Sequence, residues 1–210
     1  MTEPANTTPP SVGILAYGSL LSELGEELAA LVIDQIDAVE TPFSVELARA
    51  CSCRDHAPTL APVETSGAPV RGAILLAGPS AAEEAVTNAL WRRETREQRR
   101  SETTSPDAKD LLIRRARRLE IDHDVSRIFY AHLKANIDDL RPERLAELAI
   151  ESARGDAGRR REDGIAYLID LKAEGISTPL MPAYEEEILR RTGTETLEKA
   201  RQMLINRTHS

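Results

Sequence analysis

LAYGSLLSE, Leu15 to Glu23, marks where the first strand of this chain stops. An apolar run from Val12 to Ala16 stops abruptly at Tyr17-Gly18-Ser19-Leu20. A short apolar run bounded by turn residues reads as a buried strand, here Val12–Tyr17. Gly18 directly after it admits a backbone conformation that other residues avoid, or lets the backbone come close to a ligand. Two readings fit. One is an ordinary strand-to-helix turn with Tyr17 in the core. The other is a cradle whose backbone N–H groups hold an anion. The loop is no Walker loop, lacking the spaced second glycine and the lysine, and no nucleophile elbow, since G-x-S-x-G is absent.

Working outward, Ser22 reads as an N-cap for a short helix over Gly25–Val32. Strands follow at Ile36–Glu40, Phe43–Cys53, Thr59–Val63 and Val70–Ala77, the last two separated by Ser66-Gly67-Ala68-Pro69. Ser80 caps a helix running to Arg99, and Pro106 opens another through Leu119. Val125–Leu133 is a last strand. Helices at Pro142–Ala153, Asp163–Glu174, Pro182–Arg191 and Thr194–Asn206 close the chain. Strands first and helices afterwards predict an α+β fold rather than alternating βα units. The short strands and tight turns predict a small curled mixed sheet or barrel of about five to six strands, with flanking helices and a helical C-terminal part. Residues 1–10 read as a disordered tail, and 11–206 as a single domain. Gly155–Arg161 (GDAGRRR) reads as a mobile loop.

Bulk properties narrow the function. At 210 residues the chain can bury a real core. A net charge of −8 argues against a protein built to coat nucleic acid, and 3% aromatic residues argue against a base-stacking platform. The two cysteines, Cys51 and Cys53, do not make a secreted disulfide framework. The N-terminus shows no charged-then-apolar signal, and no apolar run is long enough to span a bilayer. The expectation is a cytoplasmic protein with neither membrane nor nucleic acid as partner.

Three groups could carry chemistry. In the helix Ala82–Arg99, Val86, Leu90, Glu94 and Glu97 fall at i, i+4, i+8 and i+11, which is one face. The stripe that buries the helix leads to Glu94. A carboxyl group at its inner end would be desolvated and pushed toward neutrality, as an acid/base catalyst requires. Trp91 could wall it from water. Alternatively Glu94 pairs with neighbouring arginines in solvent. Next comes the basic density of Arg92, Arg93, Arg96, Arg99 and Arg100, with Arg114, Arg115, Arg117 and Arg118 further on. It reads first as two solvated helices laced with Glu and Asp, then as a nucleic-acid contact despite the acidic total, or as the source of one arginine that enters the pocket to hold a substrate carboxylate. Last, Cys51-Ser52-Cys53 with His56 offers three soft ligands without an evident fourth. Same-face strand cysteines are the simpler reading, so no metal site is assigned.

Taken together these pieces resemble the γ-glutamylcyclotransferase-like family, ChaC-type and AIG2-like enzymes included. Tyr17-Gly18-Ser19-Leu20 matches the family's Y-G-S-[NL] loop after the first strand. Arg49 to Leu75 is similar to its run of strands: an arginine-bearing strand, a T-L-x-P strand and a V-x-G strand. Leu90-Trp91-Arg92-Arg93-Glu94 fits an apolar pair followed by R-E. Gly164 to Leu189 is similar to the family tail, with Tyr167, Gly175 and Tyr184 in its positions. The segment between Glu94 and Val125 matches no family pattern.

The resemblance implies the family fold and a substrate carrying a γ-glutamyl group. The substrate's α-amine attacks its own side-chain carbonyl, releasing 5-oxoproline and an amine. Glu94 falls in the acid/base position, with Glu97 one turn on as a competitor. Tyr17, Gly18, Ser19 and Leu20 fall in the substrate-binding loop, whose N–H groups would hold the α-carboxylate or the oxyanion. No cofactor is implied. Alternatives are another amide-cleaving enzyme on the same fold, or a non-catalytic small-molecule or protein-binding member using the arginine-rich helix. The leaving amine is not specified, and self-association into a homo-oligomer stays open.

Overall fold

A computed structural model describes residues 11–96, 110–116, 119 and 125–207. The expected tail 1–10, together with Glu97, Arg99, Arg100, Arg117 and Arg118, lies outside these residues.

The fold is α+β. Strands β1 (Ser11–Ala16), β2 (Val32–Glu40), β5 (Arg71–Ala77), β6 (Leu111–Arg115) and β7 (Val125–Leu133) form one mixed sheet in the order β2-β5-β1-β7-β6. In it β1 runs parallel to β7 and antiparallel to β5. Strands β3 (Val45–Cys51) and β4 (Ala57–Pro62) make a separate antiparallel pair. The sheet is open and the expected barrel is not formed. Closure needs the edge strands to meet, but β2 and β6 stand at opposite edges, and β3–β4 leaves the sheet to pack elsewhere.

Strand β1 is central and covered on both faces, which is why its sequence is continuously apolar. Val12, Ile14 and Ala16 face α1 (Glu26–Leu31) and α2 (Glu83–Thr95), meeting Leu28, Val86, Ala89 and Leu90. Leu15 points the other way, onto Ile74, Ile128 and Tyr130. The β3–β4 pair packs on the C-terminal helices α3 (Pro142–Arg154), α4 (Asp156–Arg159), α5 (Gly164–Ala173), α6 (Met181–Thr192) and α7 (Leu197–Arg207). Val45, Leu47 and Leu60 meet Leu145, Leu168 and Ile188 there.

Buried charges hold this second half together. Glu46 accepts from Leu47 N (2.8 Å), Leu180 N (3.0 Å) and the Thr178 hydroxyl, tying β3 to the start of α6. Asp163 caps α5, its Oδ1 accepting from Ile165 N and Ala166 N at 3.0 Å. Its Oδ2 accepts from Arg201 Nε at 2.7 Å.

Several local expectations are corrected. The helix expected over Pro106–Leu119 is a strand at Leu111–Arg115: Leu111 is buried, Leu112 is 51% exposed, and the segment pairs with β7. Alternation over so few residues is easily masked by an apolar triplet, and strand pairing overrides local propensity. Arg114 and Arg115 are exposed on this edge strand, so no helix presents them. GDAGRRR is not a free loop but contains α4, with Ala157 and Gly158 buried. A side chain at Gly158 would place its Cβ 2.0 Å from Ala153 O, so close helix packing selected that glycine. Neither Ser22 nor Ser80 is an N-cap; Gly25 and Ala82 stand there, without side-chain caps. No helix among the described residues is long and apolar enough to cross a membrane.

Candidate functional site

Strands β1 and β7 run parallel and end side by side, with Ile14 opposite Phe129. The carboxyl ends of parallel strands are where open sheets gather ligands, because the chains diverge there. Here β1 gives way to Tyr17, in extended conformation, then to a single 3₁₀ turn over Gly18–Leu20. Gly18 is left-handed (φ 61°), and a Cβ on it would lie 3.0 Å from Tyr167 Oη and 3.3 Å from Leu60 Cδ1. Glycine is therefore required twice over, by conformation and by the approach of α5.

A pocket of about 320 Å³ opens at this junction, a volume suited to a small molecule. Tyr17, Ser19, Leu20 and Glu94 all line it, joined by Arg54 and Tyr167. Gly18 lies behind the wall, buried against Tyr167. Four of the five expected site residues are thus brought to one cavity, and the fifth shapes it.

Glu94 sits near the C-terminal end of α2 with its side chain 14% exposed. Val86 and Leu90 are buried beneath the sheet, so the stripe does lead to it. Its surroundings differ from a purely apolar end, because Arg93 Nη1 donates to its Oε1 at 2.7 Å. No described residue donates to Oε2. Trp91 does not wall the site; it is buried in the core between α2 and the sheet.

Arg93 organises the loop. Its Nη2 donates to Ser19 O (2.9 Å), to Ser19 Oγ (3.3 Å) and to Glu23 O (2.6 Å), while Nε donates to Glu23 O (3.0 Å). One guanidinium therefore fastens the Tyr17–Leu20 loop to the helix that carries Glu94. A planar fork with five donors can do this; a single ammonium cannot.

Two phenols complete the wall. Tyr17 Oη donates to Ala131 O on β7 at 3.0 Å. Burial, and then the Glu94 carboxylate, push its pKa well above 10. Tyr167 Oη accepts from Leu60 N at 3.4 Å. Burial pushes its pKa to about 12; Arg54 opposes the rise and Glu94 adds to it. Both phenols stay protonated at neutral pH and leave proton acceptance to other groups. The Arg54 guanidinium lies 4.9 Å from the Tyr167 ring centroid.

Cys51 and Cys53 also line the pocket, and here the strand reading is corrected. Only Cys51 belongs to β3; Cys53 lies in a 3₁₀ turn over Ser52–Arg54, and the two form a disulfide. Residues two apart on an extended strand would be about 6.6 Å apart. The turn brings their Cα atoms to 5.4 Å, within bridging reach. Among the described residues no three His, Cys, Asp or Glu side chains gather as a metal site.

Sequence reasoning missed Arg54 altogether, and it assigned no site role to Arg93, Tyr167 or the cysteine pair beyond naming them in the arginine-rich run, the quoted tail and the weak C-x-C motif. Arg93 was legible in principle, as the residue before the glutamate, and Tyr167 lay in the quoted tail. Arg54 reaches the pocket from a distant turn and carries no local signal. No protein-family model and no curated protein matches this chain.

Proposed function

We propose that the pocket binds the γ-glutamyl group of a small amide and cyclises it to 5-oxoproline, and that the chain is a γ-glutamylcyclotransferase-like enzyme. One observation carries the reading. Glu94, with Oε2 free of any described donor, shares a pocket with the Tyr17–Leu20 loop, and Arg93 bolts the two together.

Glu94 takes a proton from the substrate's α-ammonium group. The freed amine attacks the γ-carbonyl carbon, forming the ring C–N bond, while the carbonyl electrons move onto oxygen. Collapse of that oxyanion breaks the original C–N bond; Glu94 returns its proton to the departing nitrogen, and the second proton of the ring nitrogen passes by way of the same carboxylate to the leaving amine, which departs as an ammonium ion. Because both reacting groups belong to one molecule, holding it folded supplies much of the acceleration. Backbone N–H groups of the Gly18–Leu20 turn hold the α-carboxylate or the developing oxyanion.

The test is 5-oxoproline release from a panel of glutathione, γ-glutamyl amino acids and γ-glutamyl amines. Turnover of at least one by the wild-type chain, lost in Glu94→Gln, supports the reading. No release from any of them overturns it.

A further inference from the structure

The pocket wall holds a second reactive group that the cyclisation does not use. Cys51 and Cys53 are bonded to each other, half-buried, and both line the cavity. The next residue, Arg54, lines it too. Its Nη1 donates to a carbonyl, Glu162 O (3.0 Å), and its guanidinium rests on the Tyr167 ring; among the described residues no carboxylate pairs with it directly. Arg96 and Arg92 stand on the same wall, paired with Glu162 (3.1 Å) and Glu27 respectively. Four guanidinium groups, Arg93 included, thus face the cavity against two carboxylates, Glu23 and Glu94.

The turn bearing the disulfide is anchored independently of the sulfur bond. Ser152 Oγ donates to Arg54 O (2.7 Å), and Ala157 N donates to Asp55 Oδ2 (2.6 Å). Asp55 and His56 are consecutive left-handed residues (φ 49° and 62°). Backbone held in this costly region marks places where the surroundings over-determine a geometry. What the geometry achieves here is to present a disulfide beside a cation at the rim of a pocket.

We propose that the Cys51–Cys53 pair is a thiol-exchange site that takes up anionic low-molecular-weight thiols entering the pocket. A ligand thiolate attacks one cysteine sulfur. A ligand–cysteine S–S bond forms, the Cys51–Cys53 bond breaks, and its electron pair leaves on the other cysteine as thiolate. The reverse attack expels the ligand, so no outside oxidant or reductant enters the exchange. Arg54 favours both the incoming thiolate and the one released. The inference stands apart from the cyclisation, since it needs neither Glu94 nor a γ-glutamyl group.

The experiment uses the full chain, air-oxidised, with 3-mercaptopropionate, 2-mercaptoethanol and cysteamine at equal thiolate concentration, each rate divided by that thiol's rate with the neutral bis(2-hydroxyethyl) disulfide so that intrinsic nucleophilicity cancels. Acid quenching, maleimide capping and intact-mass analysis read the mixed disulfide and the freed cysteine. At low salt 3-mercaptopropionate should react about tenfold faster than cysteamine, and the gap should close at high salt. Arg54→Gln should shrink the gap. Should that variant not fold, the salt dependence of the wild-type chain decides alone. Equal rates for the three thiols at low salt, a preference for cysteamine, or a chain that keeps both thiols free after oxidation each overturn the proposal.

Discussion

Two carboxylate–arginine pairs, each at 2.7 Å, have opposite fates in this molecule. Asp163 is 0% exposed, and both its oxygens are engaged, by two helix N–H groups and by Arg201, which also reaches Gly158 O. Glu94, 14% exposed, is engaged through Oε1 alone among the described residues, and its arginine spends its other donors on a loop. A carboxylate with both oxygens held by fixed donors stabilises a fold; one with an oxygen left toward a cavity can accept a proton from a ligand. The contrast separates a half held by buried charges, around the C-terminal helices, from the pocket at the ends of β1 and β7, where we propose the chemistry lies.

The most severe break in this contrast should come from Asp163→Ala. Removing one partner of a buried pair strands Arg201 and uncaps α5, so urea melts should show a loss of about 3–5 kcal/mol. Glu94→Gln should stay within about 1 kcal/mol of wild type in the same melts. Equal losses at the two sites would erase the distinction.

Arg93 sharpens it from the other side. Arg93→Met should lower kcat by about 10–100-fold through misplacement of the loop and Glu94, with Arg93→Lys recovering only part. A change confined to melting temperature, with kcat intact, would make Arg93 merely structural.

Smaller effects follow from titration. Tyr167 has its folded pKa raised from 10 to about 12, so the stability it contributes is fully present below pH 10 and is lost as pH climbs from 10 to 12. Tyr167→Phe should flatten that limb of the stability–pH curve, at a cost of about 1 kcal/mol near neutrality. The least effect belongs to His132, whose pKa burial and Arg114 lower and whose Nδ1 is buried without a hydrogen-bond partner among the described residues. Its neutral form is favoured by the fold, so stability should decline as pH falls through about 6.5, the ordinary histidine value. His132→Gln should remove that slope in acid-titration melts.

Much of this was legible in the sequence, and the failures share a cause. Long periodic segments such as Pro142–Arg154 and the strand Val125–Leu133 announce themselves because burial on one face repeats over many residues. The apolar run before Gly18 and the stripe ending at Glu94 are of the same kind. Leu111–Arg115 is too short for its alternation to register, and its identity comes from β7 beside it. The barrel expectation failed because strand count and turn spacing do not say whether β3–β4 joins the main sheet. Arg54 and the Cys51–Cys53 bond depend on a turn between elements, where side chains meet through the fold and not through spacing.

The most direct test of the pocket's chemistry takes whichever γ-glutamyl compound the panel yields and compares wild type with Glu94→Gln for both binding and turnover. The expected result is retained binding, stability within about 1 kcal/mol of wild type and a kcat lower by about 10²–10⁴-fold. Turnover of Glu94→Gln within a factor of about two of wild type would contradict it, because a proton shuttle cannot lose its carboxylate and keep its rate.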